Sequence, residues 1–271
     1  MLETGERIYP KHVYCSLGAY LEYLRHLFAY EWAKTLLMRE HRVIEVGCGD
    51  GYGTAYLAPH VQQIIGVDIQ TDVIEQAREK YRLIGCDFQV YDGTRLPWAS
   101  GTFDTVVSFQ VIEHVLDVNA YLVELRRVLR SGGSALFTTP NATYRLKPGQ
   151  RPWNRFHLRE YRPEELRQVV GYVFSEVQVY GIRGTDQIQA LEHARIQHIL
   201  RMVAYDFLNL RQCLPASWIK RWAAWLQQLL NRQKSDTSRG QNMFTQYNLE
   251  DFSLCTTAIH ESLDLAAVCR A

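Results

Sequence analysis

No stretch of the chain runs for the roughly 18 uninterrupted apolar residues that a membrane-spanning helix needs, so no such helix is expected. Residues 1–10 carry two glutamates and an arginine but no apolar run, and neither a signal peptide nor a transit peptide is read there. CxxC pairs are absent. The six cysteines (Cys15, Cys48, Cys86, Cys213, Cys255, Cys269) are scattered, with Cys48 and Cys86 in segments that read as core or turn, and a reducing cytoplasm fits them best. Net charge is nearly absent too: 30 Lys and Arg against 29 Asp and Glu give a formal +1, so bulk charge names no partner. Aromatics are plentiful but are not interleaved with a broad basic surface, and no nucleic-acid partner is expected. An apolar share of 47% excludes a disordered or collagen-like chain. The expected setting is cytoplasmic, with peripheral contact to the inner face of a membrane left open.

At 271 residues there is room for one well-buried core and an elaboration. Leu17, Leu21, Leu24, Phe28, Trp32 and Leu36 recur every three or four residues, predicting a helix over about 16–38. A short apolar strand (42–46), a glycine-rich turn (47–53) and a helix reaching Ala58 follow. Further strands are predicted at 63–67, 88–91, 105–108, 135–138, 175–180 and 263–268. Helices are predicted after Asp68, capped by Thr71 or Asp72, over 118–129, and from Pro163. Strands alternating with helices predict an α/β, doubly wound, mostly parallel seven-stranded sheet. Helical stretches over 185–211 and 217–231, then a polar run over 232–242, are too long for a tight connection. The expected organisation is a core over 1–184, a helical insertion or lid over 185–254, and the last core strand in 255–271.

The segment Val43-Ile44-Glu45-Val46-Gly47-Cys48-Gly49-Asp50-Gly51-Tyr52-Gly53 carries the strongest signal. Gly47, Gly49 and Gly51 let the backbone turn sharply and approach a ligand. A dinucleotide fold prefers GxGxxG, and a nucleotide triphosphatase needs the lysine of GK[ST], which this turn lacks. Glu45 sets a carboxylate before the turn, which repels phosphate but suits a cationic sulfonium or its ammonium group, as in S-adenosylmethionine. Asp68, 21 positions beyond Gly47 at the end of the second strand, can accept both ribose hydroxyls. Asp92, after the third strand, can receive the adenine amino group. Cys48, Ile69, Gly93 and Gln110 complete the expected cofactor-binding set.

On these residues the chain resembles the class I S-adenosylmethionine-dependent methyltransferases, in the small-molecule branch that includes quinone-precursor and glycan enzymes. The resemblance covers about residues 40–182 through VIEVGCGDGYG, VDIQ, YDGTRLPWASGTFDTVVSFQVIEHV, RRVLRSGGSALFTTPN and HLREYRPEELR. It implies a Rossmann-like sheet and S-adenosyl-L-methionine as cofactor. It also implies that Glu45, Gly47 and Gly49 hold the methionine part, Asp68 the ribose and Asp92 the adenine. NRFHLREYRPEEL and the opening TGERIYP look like a subgroup met in bacterial surface-polysaccharide assembly.

Methyl transfer is an in-line displacement that asks chiefly for alignment and exclusion of water, and no metal is expected. A hydroxyl acceptor profits from a nearby base, and histidine is the expected one. His114, in Gln110-Val111-Ile112-Glu113-His114, falls at the carboxyl end of the sheet; shaping the cofactor pocket is its alternative role. His157 lies on a loop that can reach the acceptor or stay on the surface. Residues 145–167 hold seven basic residues (Arg145, Lys147, Arg151, Arg155, Arg159, Arg162, Arg167) against three glutamates, which reads as a rim for an anionic acceptor or as a solvated face. His193 and His198 stand five apart with no third ligand near, so no zinc is read there. The stripe Trp218, Trp222, Trp225, Leu226 and Leu229 packs on the domain, on a second subunit or on a membrane surface. The leading expectation is O-methylation of a sugar or lipid-linked small molecule. The alternatives are a quinone or polyketide methyltransferase and a non-catalytic scaffold, with a NAD-dependent dehydrogenase disfavoured by Glu45 and the glycine spacing.

Overall fold

A computed structural model describes residues 14, 16–205 and 246–271. The expectations for residues 1–13, Cys15, Cys213, the 217–231 stripe and the 232–242 polar run lie outside the described residues. Helix α1 (Leu17–Lys34) is shorter than expected: Ser16 caps its start, and at its end Thr35 turns its hydroxyl back onto the Trp32 carbonyl at 2.7 Å. Strand β1 (Arg42–Val46) feeds the glycine turn and α2 (Tyr52–Leu57). Then come β2 (Gln63–Asp68), α3 (Thr71–Tyr81), β3 (Asp87–Val90), β4 (Phe103–Phe109), α4 (Val118–Val128) and β5 (Leu129–Pro140). Short α5 (Ala142–Arg145), α6 (Pro163–Gly171), β6 (Glu176–Gly184), α7 (Asp186–Tyr205), β7 (Phe252–Cys255) and β8 (Asp264–Arg270) follow. Neither Thr71 nor Asp72 caps α3: Thr71 is already its first residue, and Gln70 stands at the cap position without capping the helix through its side chain.

The sheet has eight strands rather than seven, in the order β3-β2-β1-β4-β5-β8-β6-β7. The addition is β7, a four-residue edge strand antiparallel to β6, drawn from residues expected to close the insertion. Five strands, β1 to β5, run parallel, and β8 lies antiparallel between β5 and β6. The order reverses between β1 and β4, the point at which open α/β sheets open a crevice beyond the carboxyl ends of their strands. One core cluster, with Ile44, Val106, Leu122, Phe137 and Leu166, lies under α4 and α6. Another, with Leu21, Trp32, Val43, Leu136 and Ile188, lies under α1 and α7. Helix α7, the first part of the expected insertion, is therefore docked on the core: Ile188 packs on the sheet, and Tyr144 donates to the Gln189 carbonyl at 3.0 Å. The four described cysteines, Cys48, Cys86, Cys255 and Cys269, are free thiols. Among the described residues no helix is long and apolar enough to cross a membrane.

Candidate active site

The chain leaves β1 in a turn whose glycines do different work. Gly47 and Gly51 have φ of +81° and +83°, and a Cβ on either would run into the side chain of Val111 or Phe88. At Gly49, φ is +53° and an added Cβ would meet nothing within 4 Å among the described residues, so its backbone borders space where a ligand can approach. The Gly49 amide donates to Asp68 Oδ2 at 3.1 Å, and the Gln70 amide donates to Asp68 Oδ1 at 3.0 Å. One carboxylate thus ties the turn to the end of β2. Beside it Ile69 exposes 59% of its surface, an apolar face at the rim of the crevice. Asp92 faces solvent after β3, where amides of Arg95 and Thr94 donate to its Oδ1 and hold its pKa below the usual carboxylate range. Gly93 next to it turns with φ of +81°. Cys48 is buried, and burial raises its thiol pKa well above the usual value.

Glu45 does not reach the crevice as the sequence suggests. It is 1% exposed beneath the turn, where the Tyr30 hydroxyl donates to Oε1 at 2.5 Å and the Thr54 hydroxyl donates to Oε2. Burial pushes its pKa up to about 7 against the pull of those two bonds. Its direct place is therefore structural, joining α1, β1 and α2 below the cradle. The open face at Gly49, the Asp68 carboxylate at its edge and the apolar Ile69 fit a nucleoside carrying an amino-acid tail.

Beyond β4 the backbone is strained: Gln110, which is not glycine, has φ of +55°. Its side-chain amide donates to Asp264 Oδ2 at 3.3 Å, and Arg25 Nε donates to the same oxygen at 2.7 Å. Arg25 also pairs with Glu192 of α7 at 3.6 Å, and all three charged side chains are buried. Burial opposes charge on Arg25, but the two carboxylates hold its guanidinium more firmly protonated than usual. Neither Arg25 nor Asp264 was expected from the sequence. The available signal was an arginine at helical spacing on the apolar stripe of α1, between Leu21 and Ala29.

His114 and His157, 43 positions apart, meet edge to face with ring centroids 4.9 Å apart. His114 Nδ1 lies 3.0 Å from the Phe156 carbonyl, and burial lowers its pKa, His157 adding to the effect. His157 Nδ1 lies 2.8 Å from Glu160 Oε1, and the Asn154 amide donates to Nε2 at 2.8 Å. Glu160 also pairs with Arg145 at 3.1 Å; burial alone would raise its pKa, but the His157 bond and Arg145 hold it lower. Glu113 is 1% exposed, accepts from the Thr139 hydroxyl at 3.0 Å, and is pushed by burial up to about 8. Glu113, Glu160 and Asn154 are not singled out in the sequence; the available signal is an acid adjoining His114, and an amide and an acid three positions before and after His157. The expected basic rim is smaller than seven: Arg145 is buried in its ion pair and lies 4.2 Å from the Trp153 ring centroid. Lys147, Arg151, Arg155, Arg159 and Arg167 stay exposed. His193 and His198 are exposed on α7, away from any cluster of three ligand side chains among the described residues.

Residues 44–137 match the protein-family model described as "Methyltransferase domain". A relative from Mycolicibacterium smegmatis, named "Probable S-adenosylmethionine-dependent methyltransferase", is 36% identical over 137 residues, covering 50% of this chain and 52% of its own length. A "Fatty-acid O-methyltransferase" from the same organism is 33% identical over 112 residues, covering 41% of each chain. The chain thus spans about half the length of the curated relatives it matches, or less. A solved S-adenosylmethionine-dependent methyltransferase structure from Thermotoga maritima superposes with a TM-score of 0.53 at 18% identity, covering 94% of this chain and 95% of that one, and so shares the fold. With the glycine turn, the acid at the end of β2 and the reversal of strand order in place, the chain carries a class I methyltransferase domain whose cofactor is S-adenosyl-L-methionine.

Proposed function

We propose that the protein transfers a methyl group from S-adenosylmethionine to an oxygen of a small acceptor, a sugar or a lipid-linked glycan intermediate. The observation that carries this reading is the His114–His157 pair, each ring oriented through its Nδ1 beyond the carboxyl end of the parallel strands. The bound cofactor supplies an electrophilic methyl on a sulfonium, which leaves as a neutral thioether. The turn at Gly49 and the Asp68 carboxylate hold the donor. His114 and His157 form the acceptor side, where a neutral imidazole is the group suited to take the hydroxyl proton as the new C–O bond forms. The relative named as a fatty-acid O-methyltransferase supports an oxygen acceptor.

The surroundings of the pair favour an amphiphilic acceptor. Leu116 is 90% exposed and Leu158 is also exposed, so each histidine has an apolar neighbour in the chain facing solvent. The exposed arginines Arg151, Arg155 and Arg159 add a cationic edge suited to phosphate or carboxylate. A quinone or polyketide acceptor is the second reading, favoured by Trp153 and Phe156 in the same loop, each with a guanidinium over its ring.

Calorimetric titration with S-adenosylmethionine, S-adenosylhomocysteine and NAD in parallel, followed by labelled-methyl transfer to nucleotide sugars, lipid-linked glycans and quinone precursors, tests the reading. Binding of the first two ligands and label on a glycan oxygen are expected. Label on a quinone precursor selects the second reading, and cofactor binding without transfer to any acceptor favours the scaffold.

A further inference from the structure

We propose that Glu113, His114 and His157 bind one divalent transition-metal cation on the acceptor side of the site. The inference deepens the proposed function and rests on it for the role of the cation, though not for its binding. The sequence led to the opposite expectation because methyl transfer requires no metal and His193 and His198 stand five apart with no third ligand near. Folding instead brings residues 113 and 114 against residue 157.

Three observations support the site. One carboxylate oxygen of Glu113 and one ring nitrogen from each histidine lie within 4.8 Å of one another. A cation bound at about 2.1 Å from each draws such atoms to roughly 3.4 Å apart, so the widest pair, within 4.8 Å, needs to close by at most about 1.4 Å. Glu113 also has an unmet need: its Oε2 accepts from Thr139, while its buried Oε1 has no hydrogen-bond partner among the described residues. A buried carboxylate oxygen without a donor is costly, and a cation satisfies it.

Both imidazoles are held in the same tautomer. The Phe156 carbonyl can only accept a hydrogen bond, so His114 carries its proton on Nδ1. The Glu160 carboxylate sets the same arrangement on His157. In the neutral rings the lone pair is then on Nε2 of each. A backbone carbonyl behind one histidine and a carboxylate behind the other is the outer-shell pattern that orients metal-binding imidazoles. On His157, the Asn154 amide, which donates to Nε2 at 2.8 Å, is the group the cation would displace.

Two imidazoles and one carboxylate favour a transition metal such as Zn²⁺ or Mn²⁺ over Ca²⁺ or Mg²⁺, which prefer an all-oxygen shell. Three protein ligands leave coordination positions open, and the acceptor oxygen is the group that would fill one. Coordination makes a hydroxyl more acidic, so the two histidines would activate the acceptor through the metal, and its proton would leave to water as the C–O bond forms and the C–S bond of the sulfonium breaks.

The test is metal binding by the full chain, stripped with a chelator, then equilibrated separately with Zn²⁺ and Mn²⁺ and assayed by elemental analysis and calorimetry. About one ion per chain is expected. His114→Ala and His157→Ala should each weaken binding at least tenfold, while Asn154→Ala retains or strengthens it. Unfolding by circular dichroism checks that each variant is folded, and Glu113→Gln gives a second route if a histidine variant is not. Fewer than about 0.2 ions per chain, or affinity unchanged in the folded His114 and His157 variants, overturns the proposal. S-adenosylmethionine titration of the same samples separates the two ideas. Cofactor binding without the cation removes the metal and leaves the methyltransferase reading, whereas the cation without cofactor binding does the reverse.

Discussion

The two halves of the crevice are built differently. The cofactor half is a local device: Gly47, Gly49 and Gly51 lie within five residues, and Asp68 closes on the Gly49 amide from the neighbouring strand. The acceptor half is assembled from distant segments, with His114 on His157 across 43 positions. Donor binding is thus set by backbone shape, and acceptor handling by long-range packing. Damage to one half should leave the other working.

The strongest blow to the cofactor half is Gly49→Val. It forces a branched side chain to φ of +53° and fills the open space beside the turn, so calorimetry should detect no S-adenosylmethionine binding by a chain that still unfolds cooperatively. The corresponding blow to the acceptor half is the double variant His114→Ala, His157→Ala. Turnover with a cognate acceptor should fall by about 10²- to 10⁴-fold, read from single-turnover methyl transfer.

Arg25→Leu should act on the frame shared by both halves. It strands Asp264 as a buried carboxylate without its cation and leaves Glu192 to Arg195 alone, and denaturant unfolding should show a loss of about 3–5 kcal/mol. A loss below about 1 kcal/mol would mean that the pair contributes little to holding α1 and α7 over the sheet.

Glu45 gives the smallest and most specific effect, through pH. Its folded pKa, raised to about 7, exceeds its unfolded value of about 4.5. Below pH 4.5 both states are protonated and the group costs nothing. As pH rises toward 7 the unfolded chain ionises first, so wild-type stability falls relative to Glu45→Gln, by up to about 3 kcal/mol, and the gap is constant above 7. Unfolding curves of both proteins at pH 4.5 and 8 measure that change; an equal gap at the two values would return Glu45 to an ordinary ionised carboxylate.

The same contrast explains what could be read from residues alone. Strand β1, the glycine turn and Asp68 were legible because periodicity and positive-φ glycines act over a few residues. Glu45 was named for the right segment and the wrong contact, since one residue of register in β1 decides whether its side chain faces the crevice or Tyr30 and Thr54. Edge strand β7 escaped notice because four residues, Phe252–Cys255, carry too short an alternation to separate from a loop. The histidines could be chosen one at a time. That they meet, that Glu113 joins them and that Glu160 stands behind His157, depends on the loop after β5 folding back across the end of β4, which no local pattern encodes.

The central claim is that donor binding and acceptor handling are separable. The measurement is S-adenosylmethionine affinity of the wild type and of the double variant His114→Ala, His157→Ala, titrated side by side by calorimetry. The account predicts affinities within about threefold of each other, on the order of 0.6 kcal/mol. A loss of tenfold or more in a folded variant would contradict it and make the two histidines part of the cofactor pocket wall.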